Sequence, residues 1–197
     1  MLVMSMLGWG CSPAEPHISQ ELRVLADSVE TAVGALNRPS EAEAAEAFSW
    51  ADEQFREFNL LLGDGGVVVS KQEGAIISDV GRARRLLKDQ AKRRISLPKS
   101  AERTMKQLRS LAEALSSGAR TDAAGNAIDS AYVARETATE LKIARDLVKA
   151  LEETQNLAQR GIALRREVEA RSDSLQTICR GRLARAILEG TDNTPVE

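Results

Sequence analysis

A chain of 197 residues that is 43% hydrophobic and 28% charged can bury a sizeable core, which excludes an intrinsically disordered protein. Only 3% of its residues are aromatic, so that core has to be assembled from Ala, Leu, Ile and Val, and no apolar run approaches the roughly 20 residues of a membrane-spanning helix. Charge is uneven along the chain: residues 1–81 hold 4 basic and 13 acidic side chains, residues 82–109 hold 11 and 2, and residues 110–197 hold 12 and 14.

The first stretch, Met1 to Cys11, is apolar and uncharged and ends in small residues around Trp9; Ser12, Pro13, Glu15 and Pro16 then read as an extended linker. Leu7-Gly8-Trp9-Gly10-Cys11 resembles the end of a bacterial lipoprotein export signal. That resemblance implies that Cys11 takes the lipid, that the residues before it are removed, and that the protein sits on the periplasmic or extracellular face of a membrane. The competing expectation is an ordinary cytoplasmic N-terminus. The organisation expected is a signal-like segment and linker over 1–18, a helical bundle over 19–189 and a disordered tail over 190–197.

The first helix is expected from about Ser19 to Leu36, with Leu22, Leu25, Val29, Val33 and Leu36 on one face and Pro39 beyond its end. Ser40 with Glu43 forms a capping-box pair that opens a second helix, which continues to about Leu62 before Gly63-Asp64-Gly65-Gly66. Its core stripe is Ala44, Phe48, Ala51, Phe55, Phe58 and Leu62. Trp50 falls off that stripe, so it either packs on a third helix and long side chains or is an exposed contact for a partner.

Ser70 and Glu73 supply a second capping box for a third helix whose stripe is Ile76, Val80, Ala83, Leu87 and Ala91. Leu97-Pro98 is expected to end it, and Ser100 to open a fourth helix carrying Ala101, Met105, Leu108, Ala112 and Leu115, the two forming an antiparallel hairpin. This region holds the basic run, including Arg84, Arg85, Lys88, Lys92, Arg93 and Arg94, which could hold a polyanion or a partner. No aromatic residue interleaves it, which argues against nucleic acid, and the expectation is that it is largely neutralised by the acidic first and second helices.

From Asn126 to Glu189 one apolar repeat runs without a proline. Ile143, Leu147, Ala150, Thr154, Leu157, Gly161, Leu164, Val168, Arg171, Leu175, Ile178 and Arg182 alternate steps of four and three, a coiled-coil-like seam. A weaker stripe comprises Ala131, Ala134, Ala138, Leu141, Ala144, Val148 and Leu151. Asn126 reads as the N-cap and Gly190 as the C-terminal glycine; unbroken, the helix would span roughly 95 Å, so a break is expected at Gly161 or Ser172-Asp173-Ser174. The fold class is therefore all-α, an elongated bundle of about five helices that is monomeric or a low oligomer.

No catalytic, metal or cofactor constellation emerges. The single histidine, His17, falls in the expected linker, and Cys11 and Cys179 have no Cys-x-x-Cys spacing, Cys179 reading as a small core residue. The turn at Gly63 lacks the glycine that precedes a P-loop lysine. The leading expectation is a non-catalytic, lipid-anchored helical bundle of the cell envelope that binds or spaces a protein or envelope polymer. The alternative is a cytoplasmic helical adaptor or assembly subunit, binding a polyanion through residues 82–109.

Overall fold

The computed structural model describes residues 16–122 and 125–191. Five α-helices follow in order: α1 (Pro16–Ala35), α2 (Glu41–Asn59), α3 (Lys71–Leu87), α4 (Gln90–Ser117) and α5 (Ser130–Thr191), with a π-helical turn, Leu60–Asp64, closing α2. The all-α expectation holds: β structure among the described residues amounts to one isolated bridge between Thr121 and Ala127. Cys11 and the signal-like residues around it lie outside the described residues, as do residues 192–197 of the expected tail, whereas Gly190 falls within α5. The chain divides into two compact units, Met1–Gly34 with Ser96–Leu151 and Ala35–Ile95 with Glu152–Glu197, so that α4 and α5 each contribute to both.

In the first unit, α1 buries Leu22, Ala26 and Val29, α4 buries Ala101, Leu108, Ala112 and Leu115, and α5 buries Val133, Ala144, Leu147 and Leu151. The buried Ser19 hydroxyl donates to the Ala112 carbonyl at 2.9 Å, which satisfies it and fixes α1 against α4. The chain is already helical at Pro16, three residues before the expected start, and a proline is tolerated in the first turn of a helix, where its missing N–H is not needed. Pro16, His17 and Ile18 are thus helical rather than linker, with His17 exposed.

The start of α5 is set by Asp129, not Asn126. The Asp129 carbonyl accepts the Val133 N–H at 2.9 Å and its carboxylate accepts the Tyr132 N–H at 2.7 Å. Asn126 is instead drawn back into the preceding loop, donating its backbone N–H to Asp122 Oδ1 at 2.8 Å and its amide to Oδ2 at 2.9 Å.

In the second unit, both predicted capping boxes form: Glu43 N–H to Ser40 Oγ and Glu73 N–H to Ser70 Oγ, each Glu carboxylate returning to the cap backbone. Phe58, Ala51, Leu61, Val67, Val80 and Ala83 pack with Leu164, Val168, Leu175 and Cys179 of α5 in one core cluster. The chain turns between α3 and α4 at Lys88 and Asp89, where Asp89 adopts φ 66° and its carbonyl accepts the Arg93 N–H at 2.9 Å. Asp tolerates this left-handed geometry better than most residues. With the turn made there, α4 continues through Pro98, so the hairpin turn expected at Leu97-Pro98 is absent and residues 90–117 are one helix. Gln90, buried at the start of α4, holds that end in place by donating to the Thr154 carbonyl at 3.2 Å.

Helix α5 is unbroken over 62 residues. Val133, Thr137, Ala144, Leu147 and Leu151 are its buried seam in the first unit, and Thr154, Ala158, Gly161, Val168, Ser172, Leu175 and Cys179 in the second. The 4–3 spacing is the expected one, and six of its twelve expected residues, Leu147, Thr154, Gly161, Leu164, Val168 and Leu175, are buried. The others, Arg182 apart, give way to the next position: Ala144, Leu151, Ala158, Ser172 and Cys179 are buried, while Ile143 and Ile178 are 45% and 47% exposed. Ala131, Ala134 and Ala138 of the expected weaker stripe are exposed as well.

The two expected break points turn out to be contact points. A Cβ on Gly161 would lie 2.5 Å from Leu87 Cγ, so glycine here admits a close approach of α3. Ser172 donates its hydroxyl across to Gln54 Oε1 of α2 at 2.7 Å, which removes its incentive to bend its own helix.

Candidate functional site

The basic run is dispersed by the fold. Arg84 Nε donates to Asp52 Oδ1 of α2 at 2.6 Å and its guanidinium lies 5.3 Å from the Phe55 ring centroid. Arg94 turns inward, donating Nη1 to the Leu36 carbonyl at 2.5 Å, and burial lowers its pKa. Arg109 pairs with Glu30 of α1 at 2.6 Å and Arg82 with Asp79 of its own helix at 3.1 Å. Arg85, Lys88, Lys92, Lys99, Arg103 and Lys106 are exposed and make no ion pair among the described residues. Neutralisation by acidic helices therefore accounts for Arg84 and Arg109, not for the run as a whole: basic residues on a helix point around its circumference, and only those facing a neighbouring helix can meet its carboxylates.

Trp50 is half-buried against the core cluster, with the Arg165 guanidinium 5.8 Å from its ring centroid. Arg165 is held there by Glu46 Oε1 at 2.8 Å and Glu169 Oε1 at 3.0 Å, so the indole packs beneath a fixed α5 side chain.

Several polar side chains of the second unit are paired across helices, although Gln90 Oε1, Arg94 Nε and Nη2, Arg165 Nε and Gln176 Nε2 are buried without a partner. Asp52 is buried within the α2 stripe and accepts from both Arg56 and Arg84, the Arg84 hydrogen bond chiefly lowering its pKa. Gln54 links Ser172 and Asp173. Glu73, the capping residue of α3, also takes two hydrogen bonds from Arg182 of α5, at 3.1 and 2.8 Å. The sequence showed Glu73 only as a cap; its second partner lies 109 residues away.

Arg182, followed by the Ser70 backbone N–H, holds the Glu73 carboxyl at about 2 against an ordinary 4.5. A depressed folded-state pKa contributes stability above the unfolded value and loses it as pH falls through the folded one. Stability measured by urea titration is thus expected to decline between pH 4.5 and about 2, and Glu73→Gln to show a shallower decline over that window. Parallel pH curves for the two proteins would contradict this linkage.

The first unit contains a cleft of roughly 490 Å³ between α4, the 118–129 loop and α5, lined by Gln107, Leu111, Ile128, Tyr132, Glu136 and Glu140 among others. Asp122 beside it accepts the Tyr132 hydroxyl at 3.3 Å, and Glu136 is held by Arg135 at 2.9 Å. Glu140 Oε2 is shielded from solvent without a donor, and burial followed by the Glu136 charge raises its pKa. The spacing of Tyr132, Glu136 and Glu140, one turn apart on α5, was the available signal for this cleft, but acids on long helices are ordinarily solvated.

Comparison with protein-family models, curated proteins and solved structures returned no match. The chemistry must therefore be read from the residues alone. No group of three or more His, Cys, Asp or Glu side chains among the described residues could hold a metal ion. Cys179 is fully buried, and burial raises its thiol pKa, the opposite of what activates a nucleophile. No helix in the described residues is long and apolar enough to cross a membrane.

Proposed function

We propose that this protein is a non-catalytic, lipid-anchored helical protein of the bacterial cell envelope that works by binding or spacing, holding a partner near a membrane. The observation that carries this reading is the abrupt change of composition at Cys11, followed by a body that is helical from the first described residue, Pro16, onward. The pairing of polar side chains across helices supports the non-catalytic part, because buried Asp52 and part-buried Gln54 and Glu73 bond to neighbouring helices rather than converge on a reactive centre.

With α1 starting at Pro16, residues 12–15 alone separate it from Cys11, and the chain between them spans at most roughly 17 Å. A tether this short keeps the start of α1 close to the lipid surface. Two or three acyl chains on Cys11 anchor stably, since each buried methylene contributes about 0.8 kcal/mol, whereas one chain binds marginally.

The test is intact-mass measurement and membrane fractionation of the protein expressed from its full-length gene in a host with a lipoprotein pathway. The expected product begins at an acylated Cys11 and stays with membranes in high salt; Cys11→Ser is expected to release it without loss of helicity. An unmodified Cys11 in a salt-extractable protein would leave the cytoplasmic adaptor as the reading.

A further inference from the structure

Lys99, Arg103 and Lys106 lie on α4 in the first unit at steps of four and three, which places them within an arc of about 60° on one side of the helix. All three are exposed, and none has an acidic partner within ion-pair distance among the described residues. Arg109, three residues beyond Lys106 and about 60° further round the helix, is held by Glu30 and Asp27 of α1, so carboxylates are available to the unit but not to this strip. Glu102 flanks it as the one acid of the 99–106 stretch.

We propose that this strip is a docking surface for anionic phospholipid, by which the first unit lies against the bilayer that its tether reaches. The proposal rests on the lipid-anchored reading for its biological setting. Charge complementarity supplies the attraction: three unpaired cations in one row match a surface of lipid phosphates. Placement supplies the rest. Ser19, at the start of α1, is bonded to Ala112, and Lys106 is six residues, about 9 Å, along α4 from that point. The strip extends from about 9 Å to about 20 Å from that point along α4, so it runs along the side of the same unit that carries the tether. A lipid surface suits the strip better than nucleic acid, because no aromatic side chain stands among the three cations to stack a base and the chain carries a net charge of −2.

The experiment uses the full chain with Cys11→Ser, so that docking is read without the anchor. Co-sedimentation is compared between phosphatidylcholine vesicles and vesicles of equimolar phosphatidylcholine and phosphatidylglycerol, at low and high salt. Binding to the anionic vesicles alone, weakened by salt, is expected. Lys99→Gln with Arg103→Gln and Lys106→Gln is expected to weaken it by about a hundredfold, roughly fivefold for each charge. Glu102→Gln, which removes the flanking acid, is expected to strengthen it severalfold, and gives a readout that loss of folding could not imitate. Equal binding to both vesicle types, no effect of the triple variant, or retention on heparin or duplex DNA with none on the anionic vesicles would overturn the proposal. Failure of the anchor is read separately, from the mass of Cys11.

Discussion

Phe58→Ala is expected to destabilise the second unit by about 3–5 kcal/mol, measured as a lower urea midpoint with little change in slope. Phe58 has no exposed surface and packs with Leu61, Val80 and Ala83 on the α2–α3 side and with Leu164, Val168 and Leu175 of α5. Truncating it removes the transfer free energy of a whole ring and leaves a void that three helices cannot close together. Since small domains have total stabilities of about 5–15 kcal/mol, the loss would leave the unit close to unfolding at room temperature. Leu60, two residues away and 59% exposed, is the internal control: Leu60→Ala should cost under about 0.5 kcal/mol. A loss below about 1 kcal/mol at Phe58 would mean that α5 does not seal this core.

Gly161→Ala is expected to destabilise as well, although helix propensity alone favours alanine by about 1 kcal/mol. The added methyl would sit 2.5 Å from Leu87 Cγ and 2.8 Å from Cδ2, in a side chain that is itself buried against Ala47 and Ile162. Overpacking of this kind costs typically 1–3 kcal/mol, so against the gain in propensity a net loss of up to about 2 kcal/mol is anticipated. The double-mutant cycle with Leu87→Ala gives the decisive measurement: with the leucine truncated, the alanine at 161 should become neutral or stabilising, a coupling of about 1–3 kcal/mol. Additive costs would show that Gly161 is not the point at which α3 approaches α5.

The strongest corrections to the sequence reading share one origin. The 4–3 spacing puts Ile143 and Ile178 on the α5 seam, yet the buried positions beside them are the small residues Ala144 and Cys179, as Ala158 and Ser172 are beside Leu157 and Arg171. Periodicity yields the spacing of a seam; which of two adjacent rows is buried depends on what the facing helix presents. Pro98 was read as a stop because proline disfavours a helical residue before it, but the turn had already been made at Asp89, whose left-handed backbone carries no strong signal in sequence. Glu73 was visible as a cap within its own four-residue motif, while its pairing with Arg182 was not, since nothing local links residues 109 positions apart.

What the sequence by itself determined is what depends on neighbours in the chain: the all-α class, the two capping boxes at Ser40 and Ser70, the core stripe through Ala44, Ala51 and Phe58, and the 4–3 spacing of α5. Hydrogen bonds of a cap and the 3.6-residue turn are local, so a few residues suffice to specify them. The tertiary structure alone decided which row of α5 faces inward, where α3 gives way to α4, and which cations of the basic run meet carboxylates and which remain free. Those outcomes turn on distances between helices far apart in sequence, and burial and ion pairing are properties of that separation rather than of any single stretch.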